Sequence, residues 1–246
     1  MRPHDDRLSG YPSWIRNVIT ETEPAKVRVR DHLALGKMAN GTISAVEHRN
    51  LLIGFWSLIE KFPHFMALNL LKTSYGYNRG INSARAWLAK NLRIEQRHAD
   101  WFVAWAEAVG VDRAVLFDTH PRAEMTALTD WCWQVCHTGS LPTAMAATNY
   151  AIEGVTGEWC PKILESKEYR RLIRDGQVES GLRWLRAHAA YDDEHPWEAM
   201  DIICAIVGPN PVETQVREVE HAIRKTYDLH RLAFDAALES FPQAAA

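Results

Sequence analysis

The feature that most constrains this chain is its punctuation. Clusters of Gly, Pro, Asn and Ser cut the 246 residues into about seven stretches, each with the apolar recurrence of a helix, and no convincing strand pattern intervenes. The stretches run roughly over 12–38, 42–73, 82–109, 122–137, 140–159, 178–207 and 212–239. Thr42 or Ser44 can cap the second. Ser140 with Pro142 two residues on suits a helix start, because proline lacks only an amide that would be unpaired there anyway. The expectation is an all-α helical bundle over 1–246 as a single domain, with short flexible ends at 1–10 and 241–246. At 47% hydrophobic content, a chain of this length can bury one large core.

Charge narrows the function classes. A net charge of -3 and a pI near 6.4 leave no excess of Lys or Arg to neutralise a phosphate backbone. Nucleic-acid and membrane-surface roles are not expected. Apolar stretches such as 51–58 and 199–207 are short or interrupted for a bilayer, and MRPHDDRLSG lacks the apolar core of a signal peptide, so a cytoplasmic location is expected. Cys132, Cys136, Cys160 and Cys204 form no CxxC pair and read as thiols within helices.

Against this background the third, fifth and sixth stretches are anomalous, for their apolar faces carry acids and imidazoles. A buried carboxylate is costly unless it is paired or meets a metal. In HAAYDDEH a continuous helix would bring His188, Asp192 and His195 within about 60° of one another and turn Asp193 and Glu194 away. Two imidazoles and a carboxylate suit iron or manganese; the alternative is a solvated polar face. NLRIEQRHADWF adds Glu95 and His98 at i and i+3, a spacing that helical di-metal proteins use. The same spacing recurs in Glu218 and His221, but within the densely charged VREVEHAIRK, which reads as a solvent face. Glu153 is the lone acid in the apolar and small-residue run TAMAATNYAIE, a setting that either protonates a carboxyl or gives it a cation. Three carboxylates and three imidazoles suffice for two ions with open positions. Two Fe(II) with three acids leave a charge of +1, which one organic anion would neutralise.

With these residues in place, the sequence resembles the heme-oxygenase-like di-iron oxidases, most closely the UndA-like fatty-acid decarboxylases within the wider TenA/PqqC-like superfamily. The resemblance is carried by WCWQVCHTGSLPTAMAATNYAIEGVTGEW (131–159), RIEQRHADW (93–101) and WLRAHAAYDDEHPWEAM (184–200), and more weakly by YPSWIRNVI and KTYDL. It implies a helical bundle without heme. It implies further that Glu95, His98 and His188 hold one Fe(II), that Asp192 and His195 hold a second, labile one, and that Glu153 links or supports them. The implied chemistry uses dioxygen and an electron source on a medium-chain fatty acid, whose carboxylate binds at iron. Loss of a β-hydrogen then leads to carbon dioxide and a terminal alkene. An alkyl tunnel would draw on Phe55, Trp56, Phe62, Phe65, Trp101, Trp131 and Trp133, although core packing is the ordinary role of each. A homodimer is the simplest expectation for assembly.

Three rivals share parts of this reading. A different di-iron reaction, on an amine or amino acid, would keep all six ligands but want a polar pocket. A TenA-type thiaminase-like hydrolase would need a nucleophilic Cys on the inner fifth stretch, and residues 144–153 contain none. A storage protein would recruit Glu218 and His221.

Overall fold

The computed structural model describes residues 7–191 and 194–239. Among them there is no strand. Helices α1 (Ser13–Arg30) and α2 (Leu33–Ala39) divide the first stretch, and α3 (Ala45–Leu71) is the second. The third stretch is α4 (Arg79–Glu95) and α5 (His98–Ala108), followed by a short α6 (Arg113–Asp118) and then α7 (Ala123–Thr138). The fifth is α8 (Leu141–Met145), a π turn (Ala146–Tyr150) and α9 (Ala151–Leu164) in one run. A short α10 (Lys167–Arg170) precedes α11 (Val178–Gly181), α12 (Arg183–Tyr191) and α13 (His195–Val207), and α14 (Glu213–Leu238) closes the described chain.

Local chemistry explains most boundaries. Ser44 accepts from the Glu47 amide while Glu47 caps the Ser44 amide at 2.8 Å, a reciprocal box worth about 1 kcal/mol. Ser140 caps the Thr143 amide at the start of α8, with Pro142 in the first turn as expected. The sixth stretch is not the single helix that its periodicity suggests. Pro196 sits in the first turn of α13, and a helix continued through it from α12 would lose the bond to the carbonyl four residues back. The break between α4 and α5 has no such mark: Gln96 and Arg97 keep near-helical dihedrals, and the Arg97 amide bonds to Ile94 O, three residues back instead of four, at 3.1 Å. Residues 7–10, expected to be loose, fold back instead, and Arg7 grips the Glu194 carboxylate at 2.7 and 2.8 Å. The rest of the expected flexible ends lies outside the described residues.

Helices α3 and α14 run against each other and against α7, and α1 covers the other side of α14. On the opposite flank α9 packs on α12, and α4 lies between α3 and α13. The last approach is close: a Cβ on Gly80 would come within 2.7 Å of the Ala205 backbone, so only glycine fits there. Helix α3 is long and apolar enough by composition to cross a membrane, with a mean hydropathy of 1.2, yet half of that window is buried inside the bundle. Leu52, Leu58 and Phe65 of α3, Leu88 of α4 and Tyr227 and Phe234 of α14 are almost fully buried in the common core. Each large apolar side chain so buried contributes roughly 1.5–3 kcal/mol.

One core residue makes the fold acid-sensitive. His230 of α14 is 1% exposed, lies between Phe55 and Phe234 at 5.1 and 4.9 Å between ring centroids, and has neither ring nitrogen hydrogen-bonded among the described residues. Burial, helped by nearby His32, pushes its pKa down to about 3. In the unfolded chain the ring titrates near ~6.5, so below that pH the unfolded state takes the extra proton first. The stability held by the neutral ring is therefore complete above about pH 6.5 and falls as pH drops toward about 3. Replacing His230→Leu is expected to flatten the decline of the melting temperature over that window. An unchanged acid limb would show that the ring plays no part.

Candidate metal centre

Five separate elements deliver the donors to one region. Glu95 ends α4, His98 begins α5, Glu153 lies in the first turn of α9, and His188 and His195 come from α12 and the first residue of α13. His98 Nδ1 stands 2.7 Å from Glu95 Oε2, out of line for a hydrogen bond, and the His98 and His188 rings are 4.6 Å apart between centroids. His195 Nδ1 is 3.4 Å from Glu153 Oε2. Glu95, His98, Glu153 and His188 are buried, and His195 is mostly covered. Asp192 lies outside the described residues, as does Asp193. The helical phase that would put His188 and His195 on one face is interrupted at Glu194, a turn residue before α13. His188 and His195 still lie by the same acids, for His188 lines a cavity with Glu95 and Glu153, and His195 stands beside Glu153. Likewise Glu95 and His98 converge across a break, not along one helix.

The supports of these side chains set their chemistry. His188 Nδ1 hydrogen-bonds to Trp184 O at 2.8 Å, so it carries the proton and Nε2 keeps its lone pair. Burial, reinforced by His98, holds the His188 pKa well below the usual imidazole range. For Glu153, burial raises the pKa, the His195 contact opposes this, and the charge of Glu95 adds to the rise. His195 is the reverse: burial lowers its pKa, but Glu153, with Glu198 and Glu95 behind it, outweighs that and the net shift is upward. Glu158, five residues past Glu153, turns away and pairs with Lys26 and Arg30 of α1.

The sequence reading missed Asn149. This fully buried residue donates from Nδ2 to Glu153 Oε1 at 2.7 Å, and its Oδ1 accepts from the Thr148 hydroxyl at 3.2 Å. It lies in the π turn, where the Ala151 amide reaches back five residues to Ala146 O. Such turns recur at functional sites. The signal available beforehand was a second polar residue one helical turn before the lone acid.

Whether these residues suit a metal can be judged from their unused atoms. Among the described residues, both ring nitrogens of His98 and Oε2 of Glu153 are buried without a hydrogen bond. Neighbouring ligands on one ion, each bonded at ~2.1 Å, stand about 3 Å apart, close to the 2.7 and 3.4 Å contacts between these donors. Among the described residues no three donors stand around a common point, for Glu95 leans onto His98. The donor set itself fits iron: Glu95, His98 and His188 are a two-histidine, one-carboxylate group of the type that serves non-heme Fe(II). Glu218 and His221 are both exposed on α14 and join none of this.

Beside the donors is an apolar cavity of about 20 Å³, walled by Ile59, Phe62, Ile152, Thr156 and Trp184 together with Glu95, His98, Glu153 and His188. That is room for about one small molecule of the size of water. No cysteine lines it. Cys132, Cys136 and Cys160 are buried elsewhere, and burial pushes the Cys136 thiol up to about 12. Of the aromatic residues expected along a tunnel, Phe62 borders the cavity, whereas Trp133 is 42% exposed. His98 and Trp101 also line an open cleft of about 680 Å³ with Ala89 and Ile94 on its walls and Lys90, Arg93 and Arg97 about it.

Known proteins share this fold. The family model described as iron-containing redox enzyme matches residues 49–231. A TenA homologue from Pseudomonas syringae pv. tomato is 40% identical in sequence, over 94% of this chain and 95% of that one, with a TM-score of 0.91. A TenA homologue from Pyrococcus furiosus is 17% identical over 91% of this chain and 99% of that one, with a TM-score of 0.73. A heme-oxygenase-like domain of unknown function from Shewanella denitrificans is 12% identical over 91% of each chain, with a TM-score of 0.71. Comparison with curated proteins gives no match.

Proposed function

Because the chain belongs to the iron-containing redox enzymes, we propose that it is an oxygen-dependent non-heme di-iron oxidase of an organic carboxylate. Its architecture is the heme-oxygenase-like, TenA-like helical bundle. The observation that carries the proposal is the meeting of Glu95, His98, Glu153 and His188 at a small apolar cavity, with His195 3.4 Å from Glu153. In this reading Glu95, His98 and His188 hold one Fe(II), Asp192 and His195 hold a second, and Glu153 links them. Bound iron would supply the one-electron chemistry that activates dioxygen toward an unactivated C–H bond.

The substrate proposed is a medium-chain fatty acid, converted to a terminal alkene and carbon dioxide, by resemblance to the UndA-like enzymes. The reaction removes two hydrogens' worth of electrons from the acid, so full reduction of dioxygen to water takes two further electrons and two protons from an external donor. The protein's part is positional. Ile59, Phe62, Ile152 and Trp184 keep water away from the reacting carbon, and Asn149 holds Glu153 in one orientation. Lys90, Arg93 and Arg97, beside the apolar wall formed by Ala89, Ile94 and Trp101, suit the approach of an anion with an apolar tail. The closed cavity is too small for an alkyl chain, so binding one requires Phe62 or Trp184 to shift. A TenA-type hydrolysis lacks its thiolate here.

The test is anaerobic loading with two equivalents of Fe(II), then exposure to oxygen with medium-chain fatty acids or small amino acids, with headspace analysis. Alkene from a fatty acid supports the proposal, and oxidation of amino acids alone would replace it with the rival di-iron chemistry. As a control, His221→Ala is expected to bind iron and turn over like the parent. Loss of both ions in that variant would overturn the ligand assignment.

A further inference from the structure

A line of aromatic side chains leaves the centre and ends in a hydrogen-bonded pair. The Trp184 ring lies 3.8 Å from that of His188 between centroids and borders the cavity. Trp105 stacks on Trp184 at 5.2 Å and an interplanar angle of 16°. Trp105 Nε1–H then donates to the Tyr169 phenol oxygen at 2.6 Å, and the Tyr169 hydroxyl is 3.0 Å from His48 Nε2. Trp105 and Tyr169 are at most 1% exposed, and Trp184 and His48 no more than 5%. The four come from α12, α5, α10 and α3, so no local repeat produces the line.

We infer that Trp184, Trp105 and Tyr169 form a relay that carries oxidising equivalents away from the centre, with His48 as the proton acceptor for Tyr169. The inference rests on the reading of the centre as an oxidising iron site. The oxidant would be iron oxidised by dioxygen at this centre when no substrate is present to consume the oxidising equivalents. Trp184 gives one electron to that centre, reducing it by one electron, and is refilled from Trp105, which is refilled from Tyr169. As Tyr169 loses the electron, its hydroxyl proton passes to His48 Nε2, leaving a neutral phenoxyl and an imidazolium.

The direction follows from the hydrogen bonds. The Trp184 indole N–H has no acceptor among the described residues, so an oxidised Trp184 cannot pass its proton on with the electron, whereas Tyr169 can. Tyr169 is the first group along the line that can lose its proton through an existing hydrogen bond to a base. Burial keeps the His48 pKa down to about 4, so its imidazole is neutral near pH 7 and can accept. Ser166 fixes the start of α10 by capping the Tyr169 amide at 2.9 Å and donating to Ala39 O at 2.5 Å, which holds the phenol in register. Packing alone accounts for stacked indoles. It does not call for a line that ends on a hydrogen-bonded phenol and imidazole.

The test uses the whole chain loaded with Fe(II), mixed with oxygen without substrate, freeze-quenched and examined by electron paramagnetic resonance. A neutral tyrosyl signal is expected in the parent, narrowed when the protein carries ring-deuterated tyrosine and lost in Tyr169→Phe with iron content unchanged. Should Tyr169→Phe fail to fold, Trp105→Phe takes its place and is expected to suppress the same signal. His48→Gln, which can hydrogen-bond but not take the proton, is expected to lower its yield. Peptide mass spectrometry after repeated oxygen exposure should find oxidised Trp184 accumulating in Tyr169→Phe and not in the parent. Iron oxidation without any aromatic radical, or a tyrosyl signal that persists in Tyr169→Phe, would overturn the relay and leave the metal assignment standing. Failure of the parent to bind iron would overturn the centre, and the relay with it.

Discussion

Replacing His188→Ala is expected to abolish iron-dependent oxygen consumption while the chain still folds. His188 is placed by the Trp184 carbonyl on one side and the His98 ring on the other, so its Nε2 has one direction in which to act. Removing even an outer support of a metal ligand costs about 10–100-fold in affinity or activity, and loss of a ligand itself should exceed that. The structural cost should be smaller. The ring is held neutral by burial, and its deletion leaves no unpaired charge, only a small cavity against Trp184. The measurement pairs an Fe(II) titration with an oxygen electrode and a melting curve. At least one equivalent of iron should be lost with the melt still cooperative. Full turnover by His188→Ala would end the di-iron assignment. Glu95→Ala should behave alike, because Glu95 and His98 face each other across the α4–α5 break and neither makes up for the other.

Which parts of this centre could be read beforehand depends on whether the cause is local. Glu153 was legible because a single acid among small and apolar residues needs a partner whatever the fold. Glu218 and His221 could be set aside because their neighbours are charged, and both are exposed. The continuity of the helices was harder. Pro196 marked the break before α13 and its meaning is plain, since a proline cannot donate to the preceding turn. The break at Gln96 and Arg97 carries neither glycine nor proline, and the π turn at Ala146–Tyr150 is equally silent in residue type. Both place donors: one swings His98 toward Glu95, the other sets Asn149 against Glu153. The pairing of Tyr169 with His48 spans 121 residues of chain and comes only from tertiary packing. Apolar periodicity thus foretold the bundle, while the orientation of its polar groups arises where the helices depart from regularity.

Asn149→Ala is expected to show that this irregularity serves the metal and not the core alone. In the parent, Glu153 Oε1 accepts from Asn149, and Oε2 has no hydrogen bond among the described residues. Without the amide, the buried carboxyl keeps only its contact with His195, and burial favours its neutral form. A carboxyl that holds its proton is a poor ligand, so Fe(II) affinity should fall by about 10–100-fold, as for other supports of metal ligands. Leaving a buried acceptor unpaired should also destabilise the metal-free fold by about 1–3 kcal/mol. Asn149→Asp separates the two effects. It keeps the volume and fills the π turn, but sets a second acid 2.7 Å from the first, where the two can share one proton but cannot both ionise without repulsion. Iron affinity should therefore suffer in both variants, whereas the cavity belongs to alanine alone. Titration with Fe(II) and melting of the metal-free proteins distinguish the cases: a lower melting temperature with iron affinity equal to the parent in both variants would reduce Asn149 to a packing residue.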